Sequence, residues 1–186
     1  MRIETFCKGE TLILRGDSLA AVEFTKGDLP TGDARIAVCE KAALEAEKFG
    51  PDSVRHKLYS LEYALGATPE VECPLQHVFA PGVYARTINI PAGTCIVGKI
   101  HKHKHLNILS AGTVLVLTES QGVERLTGPL TMVSEPGTKR AVLAETDAVW
   151  TTIHLTAETD LAKIEDEVIA KSYEEYEQFL KIGVQP

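Results

Sequence analysis

Between about Glu72 and Thr156 the chain is punctuated too often for any long helix. Short β-rich runs (Val83–Ile90, Thr94–His105, Thr113–Thr118, Thr131–Val133, Arg140–Ala144 and Val149–Leu155) alternate with Pro91-Ala92-Gly93, Ala111-Gly112, Gly122, Gly128-Pro129 and Pro136-Gly137. Glycine and proline are the strongest local breakers, and several short strands at close spacing predict an antiparallel sandwich or barrel. The last run carries the only tryptophan, Trp150, which is expected in the core with a partner for its N–H.

The flanks read differently. Two short strands are expected near Thr11–Leu14 and Ala20–Phe24, then an alanine-rich helix from Asp33 to about Phe49, stopped by Gly50-Pro51. A second helix, capped by Asp52 or Ser53, places Val54, Leu58, Leu61 and Leu65 on one stripe, with His56 off it and facing solvent. After Thr156 an amphipathic helix is expected. Leu161, Ile164 and Val168 form its stripe, and Ile169, Tyr173, Tyr176 and Leu180 continue it after a one-residue shift. The organisation expected is therefore an α+β extension over 1–70, a β-barrel over 71–156, and a helix over 157–186 that packs on the barrel or on a partner subunit.

Charge and composition exclude several function classes. Hydrophobic residues are 44% and charged residues 24%, ordinary for a globular chain of 186 residues. No apolar run reaches the roughly 20 residues of a membrane span, so no membrane partner is expected. Charges are scattered through the first twenty residues, which argues against a cleaved signal. The net charge is −7, and eight acids against two lysines between Glu158 and Glu177 supply most of it. Nucleic acid is disfavoured as a partner, since phosphate binding needs a basic face. The four cysteines (Cys7, Cys39, Cys73, Cys95) form no CxxC pair and read as reduced thiols in a cytoplasmic compartment. There is no P-loop, GxSxG or HExxH.

The chemistry-bearing feature is Gly98-Lys-Ile-His-Lys-His-Lys-His-Leu-Asn107, which holds three of the six histidines. In a strand, His101, His103 and His105 share a face and the intervening lysines take the other. Same-face neighbours lie about 7 Å apart, so two imidazoles converge on one ion only where the strand twists or bulges. Two metal ligands and one residue behind them or at the mouth are expected. Arg140 and Lys139 are candidates for clamping a carboxylate or phosphate, as guanidinium offers a fork of donors. Arg86 and Tyr84, two apart on one strand, form a second candidate pair for ligand binding.

This run resembles the first motif of the cupin superfamily, whose members are small jelly-roll barrels. Gly93 or Gly98 stands at the leading glycine, His101 and His103 at the His-x-His pair, Asn107 at the glutamate position and Gly112 at the trailing glycine. Gly128 and Pro136-Gly137 resemble the second motif, with Arg140 nearest its histidine position. Asn107 offers only a neutral oxygen where the family has a carboxylate, and Arg140 cannot ligate a metal. Carried over, His101 and His103 stand as ligands and His105 as the replacement for the glutamate. His77 or His154 is the candidate for the missing histidine. Pro91-Ala-Gly-Thr, His105-Leu-Asn-Ile-Leu, Pro136-Gly-Thr-Lys-Arg, Trp150-Thr-Thr-Ile-His and Ala170-Lys-Ser-Tyr-Glu-Glu are similar to cupin-domain proteins of tailed phages and prophages, a group without an assigned reaction.

Taken together, the resemblance implies a mainly β fold of cupin type, a double-stranded β-helix. The donors would suit a divalent metal such as zinc, iron, nickel or copper. Three functions compete: a non-catalytic module binding a divalent metal, a small anionic molecule or both in its barrel; a metal-dependent isomerase, lyase or dioxygenase; and a virion or assembly scaffold. A homo-oligomer is expected in each case, in the host cytoplasm if the chain is phage-encoded.

Overall fold

A computed structural model describes residues 4–8, 11–16, 19–25, 41–66, 68 and 70–183. It divides into two compact units, Met1–Val71 with Leu117–Val123, and Glu72–Val116 with Glu124–Pro186.

In the first unit, β1 (Glu4–Lys8), β2 (Thr11–Gly16) and β3 (Leu19–Thr25) form an antiparallel meander. The expected helix onset at Asp33 lies outside the described residues, and 41–47 are helical (α1). Helix α2 (Val54–Gly66) starts after Ser53, whose Oγ accepts from the His56 backbone N–H at 3.1 Å. Leu58 and Leu61 of the expected stripe are buried with Tyr59 and Ala64. His56 is half-buried, and its Nδ1–H donates to the Ala46 carbonyl at 2.9 Å.

The second unit holds the jelly roll. The strands of the roll are β4 (Leu75–Ala80), β5 (Val83–Ile90), β6 (Cys95–Val97), β7 (Ile100–His101), β8 (His105–Ala111), β9 (Thr113–Thr118), β10 (Gly122–Thr127), β11 (Leu130–Ser134), β12 (Arg140–Ala144) and β13 (Ala148–Leu155), the adjoining ends of β9 and β10 falling in the first unit. Sheet order is β11-β8-β13-β5-β4 in one layer and β10-β9-β12-β6 in the other. The chain passes repeatedly between the layers, which is the winding of a cupin-type double-stranded β-helix. Glycine permits two of the tight passages. Gly112 has φ +92°, and a Cβ there would collide with the Asp147 carbonyl and Ala148. Gly137 has φ +77°, and Tyr176 packs against its bare Cα.

Alternation along the strands builds the core. Leu109, Val114, Val116, Val142, Ala144, Ala148 and Trp150 are buried together with Ile90, so both layers contribute. Toward the other end of β8 and β13 the inward positions turn polar: Asn107 and His105 on one strand, Thr152 and His154 on the other.

The C-terminal segment is two helices, where the stripe predicted one. Helix α3 (Leu161–Val168) is capped by Asp160, whose carboxylate accepts from the N–H groups of Ala162 and Lys163. It stops where the apolar stripe shifts. Ile169 turns extended, and β14 (Ile169–Ala170) pairs with β7, Ile169 opposite His101. Ser172 then caps α4 (Tyr173–Lys181), with Glu174 and Glu175 in the first turn, where the dipole favours acids. The one-residue shift marks the place where the backbone leaves the helix to satisfy a strand edge. No helix among the described residues is long and apolar enough to cross a membrane.

Candidate metal centre

Three imidazoles converge at the polar end of the jelly roll. The ligand-capable nitrogens of His101, His105 and His154 all lie within 4.8 Å of one another. Ring centroids are 4.2 Å apart for His101 and His105, 4.9 Å for His105 and His154, and 5.0 Å for His101 and His154. An unbroken strand would separate residues 101 and 105 by about 13 Å. Here the strand breaks after His101, residues 102–104 bend, and pairing resumes at His105. That bend brings the i and i+4 rings together. His154 arrives from β13, the strand beside β8.

The bend is held from several directions. The Gly137 N–H donates to the His101 carbonyl at 2.8 Å, and the Lys102 N–H to the Val168 carbonyl at 2.8 Å. The Lys102 ammonium donates to the Asp166 carbonyl and lies 3.4 Å from Glu175. Lys99 pairs with Glu165. Lys99 and Lys102 therefore anchor the acidic C-terminal segment to the histidine strand.

The protonation state suits metal binding. Burial first, then the neighbouring His105 and His154, pushes the His101 imidazole down to about 2. Burial and His105 take His154 down to about 4. His105 is also lowered, by burial, against the hydrogen bond it makes to the His103 carbonyl. That bond, 3.0 Å from Nδ1, puts the proton on Nδ1 and leaves the Nε2 lone pair free. His101 Nδ1 is buried with no hydrogen-bond partner. Three neutral, close imidazoles with an orphaned nitrogen among them could hold a metal ion, which histidines bind at nitrogen distances of about 2.0–2.1 Å.

The other residues singled out by sequence fall in distinct places. The His103 ring stands edge-on to Phe179 of α4, centroids 5.3 Å apart, and is not one of the converging three. The bend that gathers its two neighbours turns it away. Asn107 is 1% exposed, and both its side-chain oxygen and nitrogen are hydrogen-bonded. Its Oδ1 accepts from Trp150 Nε1 at 2.8 Å and from Thr152 Oγ1 at 2.9 Å, and its Nδ2 donates to Ser134 Oγ at 2.6 Å. With both carbonyl lone pairs used, Asn107 is a structural hub rather than a free ligand.

Arg140 donates to the same Ser134 hydroxyl, and its guanidinium lies 5.7 Å from the Trp150 ring centroid. No carboxylate among the described residues pairs with it. Burial lowers it to about 10, and its charge depresses His101 and His105. Lys139 is buried, with its ammonium donating to the Gly98 carbonyl. Arg86 is exposed, yet its charge also depresses His101 and His154. Tyr84 is buried against Ile164, Val168 and Ile169, bonds His77 Nδ1 through its hydroxyl at 2.7 Å, and stacks 6.4 Å from His154. His77 is thus one hydrogen bond behind the site.

Two participants carried weaker sequence signals. His154 was one of two candidates for a further ligand. Its two-residue phase with Trp150, a core residue on the same strand, is the pattern that places it inward. Ser134 carried no motif. Its role follows from standing opposite His105 in the β11–β8 register.

No family model and no curated protein matches the sequence. Several solved structures are similar in shape. An RmlC-like cupin family protein from Methanocaldococcus jannaschii is 12% identical, with 46% of this chain and 82% of that chain covered and a TM-score of 0.40. KdgF from a Halomonas species is 18% identical, with 50% and 86% covered and a TM-score of 0.40. Ectoine synthase from P. lautus is 12% identical, with 54% and 75% covered and a TM-score of 0.44. The site stands on its imidazole geometry, independently of these likenesses.

Proposed function

We propose that this protein binds a divalent metal through His101, His105 and His154 and takes a small anionic molecule beside it. The observation that carries the reading is the mutual approach of three imidazole nitrogens within 4.8 Å. Neutral histidines suit zinc, iron, nickel or copper. Neutral ligands leave the full charge of a divalent ion in place, and the unpaired guanidinium of Arg140 adds to it. A buried cation without a counter-charge is costly, so the site favours an anion that can reach both metal and arginine. Arg86, whose charge reaches His101 and His154, would orient the far end of such a molecule, with Tyr84 as its neighbour on the strand. Loaded, the metal would act as a Lewis acid toward a bound oxygen. The residues of the chain would hold the ion, orient the anion and keep the imidazoles neutral. The phage or prophage setting belongs to this reading and rests on the sequence phrasing alone.

The test is metal analysis of protein made without a histidine tag. About one equivalent of metal is expected, lost in His101→Ala, His105→Ala and His154→Ala and kept in His103→Ala. Metal-free protein after supplementation, or a His103→Ala loss equal to the others, would overturn the assignment. Turnover of carbonyl compounds by the loaded protein would promote it to an enzyme. Retention of function in all three metal-free variants would leave the barrel as a scaffold.

A further inference from the structure

Lys102 differs from the two other lysines of the histidine run. Lys99 and Lys104 pair with Glu165 and Glu135 through side chains that are 56% and 57% exposed, and exposed pairs of this kind contribute little. The Lys102 side chain is 12% exposed. An ammonium so far buried is costly without partners, and its partners among the described residues all come from the C-terminal segment. Its Nζ donates to the Asp166 carbonyl at 2.7 Å, lies 3.4 Å from a Glu175 carboxylate oxygen and stands 5.9 Å from the Phe179 ring centroid. The Lys102 backbone N–H goes the same way, to the Val168 carbonyl at 2.8 Å.

Helix α3 accounts for the cation. The last four carbonyls of a helix have no partner within it, and its C-terminus carries negative partial charge. In α3 the Glu165 carbonyl is taken by the Ile169 N–H. Lys102 takes two of the other three, Asp166 with its side chain and Val168 with its backbone. The first residue of the bend between His101 and His105 thus caps a helix whose capped Asp166 lies 64 residues later in the chain. The same helix end also backs the third imidazole. Ile164, Val168 and Ile169 bury Tyr84, which stacks 6.4 Å from the His154 ring. Ile169 stands opposite His101 in the β14–β7 pair. Each imidazole therefore has a support that rests on α3 or on the residue just after it.

Taking His101, His105 and His154 as the metal ligands, as proposed above, we infer that Lys102 is a positioning residue for the centre. By clamping the C-terminal end of α3 it holds the bend that closes His101 onto His105, so metal binding and docking of the C-terminal helices are linked. Lys102 itself does not touch the ion. Without the clamp, residues 102–104 relax toward the extended spacing, which parts the two rings. The linkage is reciprocal: whatever factor docking adds to metal affinity, metal adds to docking. Groups that support metal ligands typically carry about 10–100-fold in affinity.

The experiment measures zinc affinity on the full chain without a histidine tag, by competition with a chromophoric chelator. Lys102→Met keeps an apolar stem and removes the cation, and it should weaken zinc binding about 10–100-fold. Lys104→Met loses only an exposed ion pair and should stay within about twofold of the wild type. Cobalt(II) in place of zinc reads the ligand geometry. Its visible bands should shift or weaken in Lys102→Met, where the rings part, and match the wild type in Lys104→Met. Zinc affinity that is unchanged or tighter in Lys102→Met overturns the role of Lys102 and leaves the metal site standing, whereas a wild type that binds no zinc removes both. Weaker zinc binding with wild-type cobalt bands also overturns it, since the loss would then come from general stability. Hydrogen exchange of the wild type decides the matter should Lys102→Met not fold. Saturating zinc should slow the amides of Lys102 and Ile169 by about 10–100-fold, because undocking α3 would cost metal affinity. Exchange at those amides that ignores zinc overturns the linkage.

Discussion

The two ends of the jelly-roll interior carry opposite chemistry on the same strands. On β8, Leu109 is completely buried among aliphatic side chains, whereas His105, four residues earlier and on the same face, meets two other imidazoles. On β13, Trp150 and His154 repeat that contrast. Asn107 and Ser134 lie between the ends and link Trp150 on one side to Arg140 on the other. Side chains are buried at both ends, but only the apolar end gains from that burial. The polar end buries neutral imidazoles and a guanidinium, and that burial is a cost. The pattern suggests that one end supplies stability and the other a binding site.

The largest effect should come from the apolar end. Leu109→Ala removes a side chain with no exposure, packed between Leu130 and Trp150 in the register, and the cavity should cost about 2–5 kcal/mol. Urea denaturation measures the loss. Metal content should be unchanged in the folded fraction. If Leu109→Ala also emptied the site of metal, the two ends would not be separable.

Asn107 tests the divider. Asn107→Ala leaves the Trp150 N–H and the Thr152 hydroxyl without their acceptor, at about 2–4 kcal/mol for the two orphaned donors. Asn107→Asp keeps an oxygen facing both donors and should recover most of that loss. A thermal melt followed by Trp150 fluorescence reports both variants. Equal losses in the two would mean that the amide matters only as packing volume.

The legibility of these features from sequence follows their range. The jelly roll was readable because its breakers are local: Gly112 and Gly137 sit at positive φ where side chains or backbone crowd in. His101 and His105 were readable as site candidates because they fall close together in one run. The exclusion of His103 from the converging trio was not readable. It depends on a strand break, and that break is fixed by contacts from Gly137, Val168 and Asp166, all distant in sequence. Period-two counting assumes an unbroken strand, and it put the wrong neighbours on one face. The same limit hid the two-helix C-terminus, where the pull of a strand edge on Ile169 outweighed helix continuity. Asn107 was placed at a ligand position by motif alignment. Its burial beside Trp150 emerges only when β8 and β13 are paired.

The smallest effect per step is the pH dependence of the metal-free chain, and it isolates the polar end. In the fold, His101 is held down to about 2 and His154 to about 4, both chiefly by burial, while in the unfolded chain each titrates near 6.5. Above that value neither state is protonated and stability is full. Below it the unfolded chain takes up protons that the fold refuses, so stability falls as pH falls, by up to ~1.4 kcal/mol per pH unit for each imidazole. The decline from His154 should end near pH 4, where the folded residue itself titrates. Urea midpoints measured between about pH 7.5 and about pH 5 should drop in the wild type and less steeply in His154→Gln, with the difference giving one imidazole's share. Identical slopes would show that His154 is not held neutral in the fold. The polar end would then have to be wet, and its contrast with the Leu109 end would be one of residue type alone.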